Sequence, residues 1–236
     1  QGRQHGIGLR LGKFRGDVYR SDYAAINEIF LSGTAWKKGV PVALLAFVMA
    51  APAGTGRLAS YWRGYSASIK VQGARSLGDW LSSPLASDER RLVIEAAASA
   101  VQRAHGRGFE HGDLNLGNIL VTRSEQGEFG GWLIDLSHSR MGGTLSLKKR
   151  LGNLMRLYRS AEKWLPAGTP EERLGRRRDI IRFLRCYTDG EPGAVRRYLQ
   201  AAGRYRSSLF LHRLGWKAGR VGRARSLSRS TDPAGR

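Results

Sequence analysis

HGDLNLGNIL, residues His111 to Leu120, is the stretch on which the reading of this chain turns. Asp113, Asn115 and Asn118 crowd six positions, His111 stands just ahead of them, and the apolar Ile119, Leu120 and Val121 follow. A packed core would not choose so many polar side chains in a row. Asx side chains in a loop can cap turns for purely structural reasons. The companion of this loop argues for more: twenty-two residues after Asp113, Asp135 closes the apolar run Trp132, Leu133, Ile134. Mg2+ takes hard oxygen ligands and is commonly held by one or two carboxylates together with substrate phosphates. Asn118 and Asp135 would supply such ligands. Asp113 then remains to orient an attacking hydroxyl, or to take its proton.

Working outward, NILV and WLIDL flank the polar, Gly-rich TRSEQGEFGG and read as a β-hairpin. Upstream, Ser87-Asp88 starts a helix carrying Leu92, Val93, Ala96, Ala100, Val101 and Ala104 on one side and stopping at Gly106 and Gly108. Before it, Ser76 followed by Asp79 approximates a capping box ahead of Trp80 and Leu81. The first third reads as strands around one helix. IGLRLGKF (Ile7 to Phe14) alternates as a half-buried strand, and Ser21 to Ser32 reads as a helix with Tyr23, Ile26, Ile29 and Phe30 on one face. Gly39-Val40-Pro41 turns into a strand over Val42 to Met49, and YSASIKV (Tyr65 to Val71) returns.

Downstream the pattern is helical. Leu147, Leu151, Leu154, Tyr158, Ala161 and Leu165 step by 4, 3, 4, 3 and 4, a buried stripe. Glu171 to Tyr187 and Gly193 to Leu214 predict further helices; Arg176, Arg177 and Arg178 read as a solvated face. The expected organisation is a β-rich region over residues 1–75, incomplete at its start, a helical region over 76–218 containing the 111–118 loop, and a basic tail over 219–236 without apolar periodicity. That is an α+β, two-lobed outline, a small antiparallel β lobe preceding a larger helical one.

Composition bounds the partners. In 236 residues, 40 Lys and Arg against 19 Asp and Glu give a net charge of +21, while 41% hydrophobic residues exclude global disorder. One cysteine, Cys186, excludes a disulfide-stapled scaffold. The longest apolar stretch, Val40 to Ala53, is broken by Pro41 and Pro52 and is too short for a membrane span, and Gln1 to Arg20 has no apolar core of a signal peptide. Nucleic acid, an anionic membrane or a phosphorylated substrate would each answer the charge. A nucleic-acid binder leaves Asp113, Asn118 and Asp135 without purpose, so no nucleic acid is expected. Tyr205 to Trp216 mixes basic and aromatic residues, as an interfacial helix or a last packed helix would.

With these residues in place, the chain resembles the protein-kinase-like superfamily. Its catalytic loop, H-x-D-x-x-x-x-N, is matched by His111, Asp113 and Asn118, and its second metal-binding Asp, at a strand end after a hairpin, by Asp135. Asn115 stands where protein kinases carry Lys, and Asp135 is followed by Leu136-Ser137 rather than Phe-Gly. HGDLNLGNIL, then WLIDLSHSR, then LGNLMRLYRSAEKW look most like the lipopolysaccharide-core sugar kinases, closest to those acting on Kdo, 3-deoxy-D-manno-octulosonic acid. The resemblance covers about residues 7 to 165 and includes the Gly39 to Val42 entry to a strand and an Asn-Leu-x-Arg-Leu-x-Arg-Ser helix.

The resemblance implies a two-lobed kinase fold using ATP and Mg2+. It implies that Arg10 or Lys13 contacts the nucleotide phosphates, braced by Glu28. Asn115 would contact the transferring phosphate or stabilise the loop, and His111 would brace the loop rather than move protons. His138 and Arg140 stand where an anionic acceptor would dock, or simply belong to a charged surface loop. The expected acceptor is Kdo on a lipid A precursor, met peripherally at the anionic cytoplasmic face of the bacterial inner membrane. Heptose or another small hydroxyl compound is the alternative, and a non-catalytic binding protein the rival outside enzymes.

Overall fold

The 111–120 stretch sits where a hairpin meets a helix, and the apolar alternation of its neighbours explains both. The computed structural model describes residues 15–19, 23–52, 62–136, 138–165 and 169–204. Strands β6 (Ile119–Arg123) and β7 (Phe129–Leu133) pair antiparallel with Ile119 opposite Leu133 and Val121 opposite Gly131, the hairpin that the sequence predicts. They follow, in chain order, β1 (Arg15–Tyr19), α1 (Tyr23–Lys37), β2 (Leu45–Pro52), β3 (Trp62–Ser68), β4 (Arg75–Ser76), α2 (Leu77–Ser82), α3 (Ser87–Gly106) and β5 (Phe109–Glu110). Ile119, Val121 and Leu133 turn inward and are at most 1% exposed, each stabilising the fold by about 2 kcal/mol.

The hairpin lies directly on α3. A Cβ at Gly131 would stand 2.4 Å from the Ala96 carbonyl oxygen and 2.9 Å from Ala100 Cβ, so only glycine permits the approach. Ala96, Ala97, Ala98, Ala100 and Ala104 keep α3 thin enough for this, and all are buried. Ser76 caps α2 as expected: its Oγ accepts from Asp79 N at 3.0 Å and donates to Asp79 Oδ2 at 2.7 Å. β4 pairs with the free edge of β6, and β5 with β8 (Arg140–Met141).

The N-terminal sheet is antiparallel with order β1-β3-β2, and α1 packs against β2. The helix expected over Ser21 to Ser32 runs on to Lys37. Of its expected apolar face Phe30 is corrected, being 67% exposed, while Ile29 is half-buried; Glu28, Ser32 and Ala35, spaced i, i+4, i+7, are buried. Small residues let the helix come close, and the Ser32 hydroxyl oxygen accepts from Leu45 N at 3.1 Å. Val42, expected inside a strand, instead makes a parallel bridge to Leu133. Leu133 N donates to the Pro41 carbonyl at 2.7 Å, Ala43 N donates to the Leu133 carbonyl at 2.9 Å, and the rings of Trp36 and Trp132 stack 5.9 Å apart. The end of α1 is thereby fastened to β7. The strand expected at Ile7 to Phe14 lies outside the described residues.

Helix α4 (Leu147–Trp164) begins at the Ser146 cap, and Leu151 and Leu154 of the expected stripe are buried. Leu147 is not; as the first helical residue it is 51% exposed. Asn153, Met155 and Leu157 are buried instead, which moves the inward face toward a polar residue. α5 (Pro170–Tyr187) starts in a capping box of Thr169 and Glu172 and packs on α3, with Arg90 Nη2 2.9 Å from Asp179 Oδ2. By their contacts, residues 1–191 form one compact unit, which holds the expected β-rich region and the helical region as far as residue 191, and 192–236 a second. What is described of the second unit is a helix over 194–204 and the two turn residues before it. The Tyr205 to Trp216 segment and the 219–236 tail lie outside the described residues. Among the described residues no helix is long and apolar enough to cross a membrane.

Candidate active site

Between β5 and β6 the chain makes a loop that its own side chains lock, leaving Asp113 exposed. His111 is 1% exposed. Asp113 N donates to His111 Nδ1 at 3.1 Å, and His111 Nε2 lies 2.9 Å from the Ile134 carbonyl oxygen. A backbone N–H only donates and a carbonyl only accepts, so Nδ1 is bare, Nε2 carries the proton, and the ring is neutral. Burial holds the His111 pKa below its ordinary value, against the smaller opposing pull of the Ile134 carbonyl and the carboxylates of Asp135 and Asp113. The ring therefore ties the start of the loop to the residue before Asp135.

Asn115 does two jobs at once. Its Nδ2 donates to Asp113 Oδ2 at 2.9 Å and to the Asp113 carbonyl at 3.2 Å, while its Oδ1 accepts from Gly117 N at 2.8 Å and Asn118 N at 3.1 Å. The second pair caps a short 3-10 turn over Leu116–Asn118. Both amide protons of Asn115 are thus engaged inside the loop, which is the loop-stabilising arrangement. Asn118 Nδ2 donates to the Asp113 carbonyl at 2.9 Å, which turns its Oδ1 the other way as an available oxygen ligand. Ile134 N donates to the Asn118 carbonyl at 3.0 Å, so Asp135 follows a residue bonded to both ends of the loop. Asp135 has φ 58°, the left-handed region, where a non-glycine residue costs about 1 kcal/mol. The donor set, one amide oxygen and one carboxylate, suits Mg2+ brought with nucleotide phosphates.

The loop is also gripped from α4. Asn153 Oδ1 accepts from His111 N at 3.1 Å, Arg156 donates from Nη1 to the Gly112 carbonyl, and Ser160 Oγ accepts from Leu116 N at 3.1 Å. These residues, spaced i, i+3, i+7, share one helix face. Ser139 Oγ accepts from Gly112 N at 3.0 Å. Asn153 Oδ1 further accepts from His105 Nε2 at 3.3 Å, which leaves His105 Nδ1 to accept from the Tyr187 hydroxyl at 2.7 Å. Sequence reading did not find these positioning residues. The signal was present: Asn153, Arg156 and Ser160 are the polar letters of the Asn-Leu-x-Arg-Leu-x-Arg-Ser helix.

His105, buried neutral, makes stability depend on pH. Burial is the main cause that lowers its pKa to about 4, with the Asn153 hydrogen bond opposing and Arg150 and His111 adding to the lowering. The unfolded chain takes up the proton near the ordinary value of 6.5, the folded one only near 4, so stability is complete above pH 6.5 and falls as pH drops toward 4. Between pH 6.5 and 5 the expected loss from this residue is about 2 kcal/mol. Urea unfolding at pH 7.5 and 5 measures it, and a His105→Gln chain is expected to show a shallower slope; an unchanged slope would rule this origin out.

Of the expected site residues, Asp113, Asn115 and Asn118 form one hydrogen-bonded cluster, with Asp135 following through Ile134. Glu28 is 8% exposed on α1, whose far end is fastened to β7. Arg10 and Lys13 lie outside the described residues. His138 and Arg140 are exposed beyond Asp135.

Small antiparallel sheets, a helical portion and a loop of this form define the protein-kinase-like fold. Among solved structures, WaaP in complex with acyl carrier protein superposes with a TM-score of 0.52 at 20% identity, over 81% of this chain and 79% of that one. The kinase domain of PknI from Mycobacterium tuberculosis gives 0.42 at 15% identity, over 85% and 87%. No curated protein matches the sequence. The profile of the lipopolysaccharide kinase (Kdo/WaaP) family matches residues 45–187, more than half of the chain. The chain belongs to that family and is an enzyme, a kinase that transfers phosphate to a sugar hydroxyl in lipopolysaccharide biosynthesis.

Proposed function

We propose that the chain phosphorylates a hydroxyl of the Kdo residue on a lipid A precursor, using ATP and Mg2+ at the cytoplasmic face of the inner membrane. One observation carries the reading: an exposed carboxylate, Asp113, on a loop whose backbone is fixed at His111, Gly112, Asp113, Leu116, Gly117 and Asn118. Rigid placement of a base against a mobile hydroxyl is what proton transfer during phosphoryl transfer needs. Asn115 holds Oδ2 of Asp113 and leaves Oδ1 for the acceptor. Asn118 Oδ1 and Asp135 would hold Mg2+, which when bound offsets charge on the nucleotide phosphates. Arg10 or Lys13, with Glu28, would steady the phosphates nearer the sugar of ATP. The charge of +21 favours an acceptor carrying a carboxylate and phosphates at an anionic surface, and salt would weaken that encounter.

The test is transfer from radiolabelled ATP to Kdo-bearing lipid A, with heptose-bearing core as the competing acceptor. Label on the Kdo lipid, lost on chelation of Mg2+, is expected. Label on the heptose acceptor alone would replace the substrate, and label on neither would remove the reading.

A further inference from the structure

Arg156 is the one residue of the α4 grip whose chemistry exceeds its contact. The neighbouring contacts, Asn153 on His111 N and Ser160 on Leu116 N, are made by neutral groups sufficient for one backbone partner each. The Gly112 carbonyl likewise needs one N–H, yet it receives a guanidinium with five. Arg156 is exposed, so it sits there without a burial cost. Among the described residues its guanidinium pairs with no carboxylate, although Asp88, Glu89, Glu95, Glu110 and Asp179 all hold cations elsewhere. The residue it touches precedes Asp113 in the chain, and its charge reaches His111. A cation with no ion pair among the described residues therefore hangs on the residue that precedes Asp113.

We infer that Arg156 binds the carboxylate of the acceptor sugar and so selects a sugar acid over a neutral sugar. The inference rests on the proposed function and narrows it. A guanidinium matches a carboxylate in a two-point fork that no hydroxyl reproduces. A carboxylate on the same ring as the reacting hydroxyl would be held at Arg156 while that hydroxyl meets Asp113. Anchoring at two points fixes the ring's rotation, which a single contact to Asp113 would leave open.

The experiment compares binding of two detergent-solubilised lipids, Kdo-lipid A and the same lipid with the Kdo carboxylate reduced to the alcohol. The readout is the ratio of the two affinities, which general damage to the loop leaves in place because it affects both lipids. The parent chain is expected to prefer the carboxylate form about tenfold, as for one charged hydrogen-bonding contact, and Arg156→Ala to lose the preference. Arg156→Lys, which keeps the charge without the fork, is expected to retain a fraction of it. A preference that survives Arg156→Ala, or a parent chain with none, overturns the inference. So does a variant whose ATP affinity falls while the lipid ratio stands, since the cation then serves the nucleotide. Phosphate transfer in the same samples reports separately on the proposed function: an Arg156-dependent preference without transfer keeps this inference and removes that one.

Discussion

Phosphate transfer by an Asp113→Asn chain is expected to fall about 10²- to 10⁴-fold, the usual range for losing a positioned base. Its stability should stay within about 0.5 kcal/mol of the parent's, as for a surface change away from packed contacts. The reason lies in the local geometry. Asp113 is exposed, so the amide buries nothing new, and the incoming side-chain oxygen can still accept from Asn115 Nδ2. The clamps on its backbone come from His111, Asn118 and Asn115 and do not use its side chain beyond that bond. Only the basicity goes. Single-turnover transfer and thermal unfolding on the same preparation separate the two effects. A folded variant within tenfold of the parent rate would take the proton-accepting role away from Asp113.

The second large effect is on folding. Asn153→Leu keeps the volume but removes the oxygen on which two buried donors converge, His111 N and His105 Nε2–H. Each buried donor left without a partner costs about 1–3 kcal/mol, so a loss of about 3 kcal/mol or more is expected in urea unfolding. Asn153 is 2% exposed, and water cannot easily replace it. Transfer activity should fall in whatever fraction remains folded, because the loop's first anchor is gone. A leucine variant as stable as the parent would mean that both N–H groups find other acceptors.

The cluster at the centre of the candidate site was legible because its residues are close in the chain. Asp113, Asn115 and Asn118 lie within six residues, and the hairpin that delivers Asp135 follows from two apolar runs and a polar turn. What escaped the sequence is what joins distant segments. Nothing near Asn153 says that its partner is forty-two residues upstream. The leucine stripe of α4 marks it as core, while the polar face beside it holds the loop. Phe30 departs from its expected face for a related reason. Periodicity assumes that large apolar residues turn inward, but α1 buries Glu28, Ser32 and Ala35 and leaves Phe30 exposed. Close approach to a strand and a buried acid outweighed apolar area there. The role of Asn115 was ambiguous because its residue type fits either duty; only its four hydrogen bonds show where its amide is used.

The fastening of α1 to β7 bears on how such an enzyme is governed. A helix that borders a site can serve as a throttle if it swings freely, engaging in one position and idling in another. Here a swing of the far end of α1 would break two backbone bonds to Leu133 and pull the stacked indoles apart, with Val40 and Val42 leaving a dry interior. That end is a fixed pivot, set on the same strand that leads to Asp135. A helix pinned at that end has no hinge of its own there, so any motion of its far end must carry β7 and the start of the Asp135 segment with it.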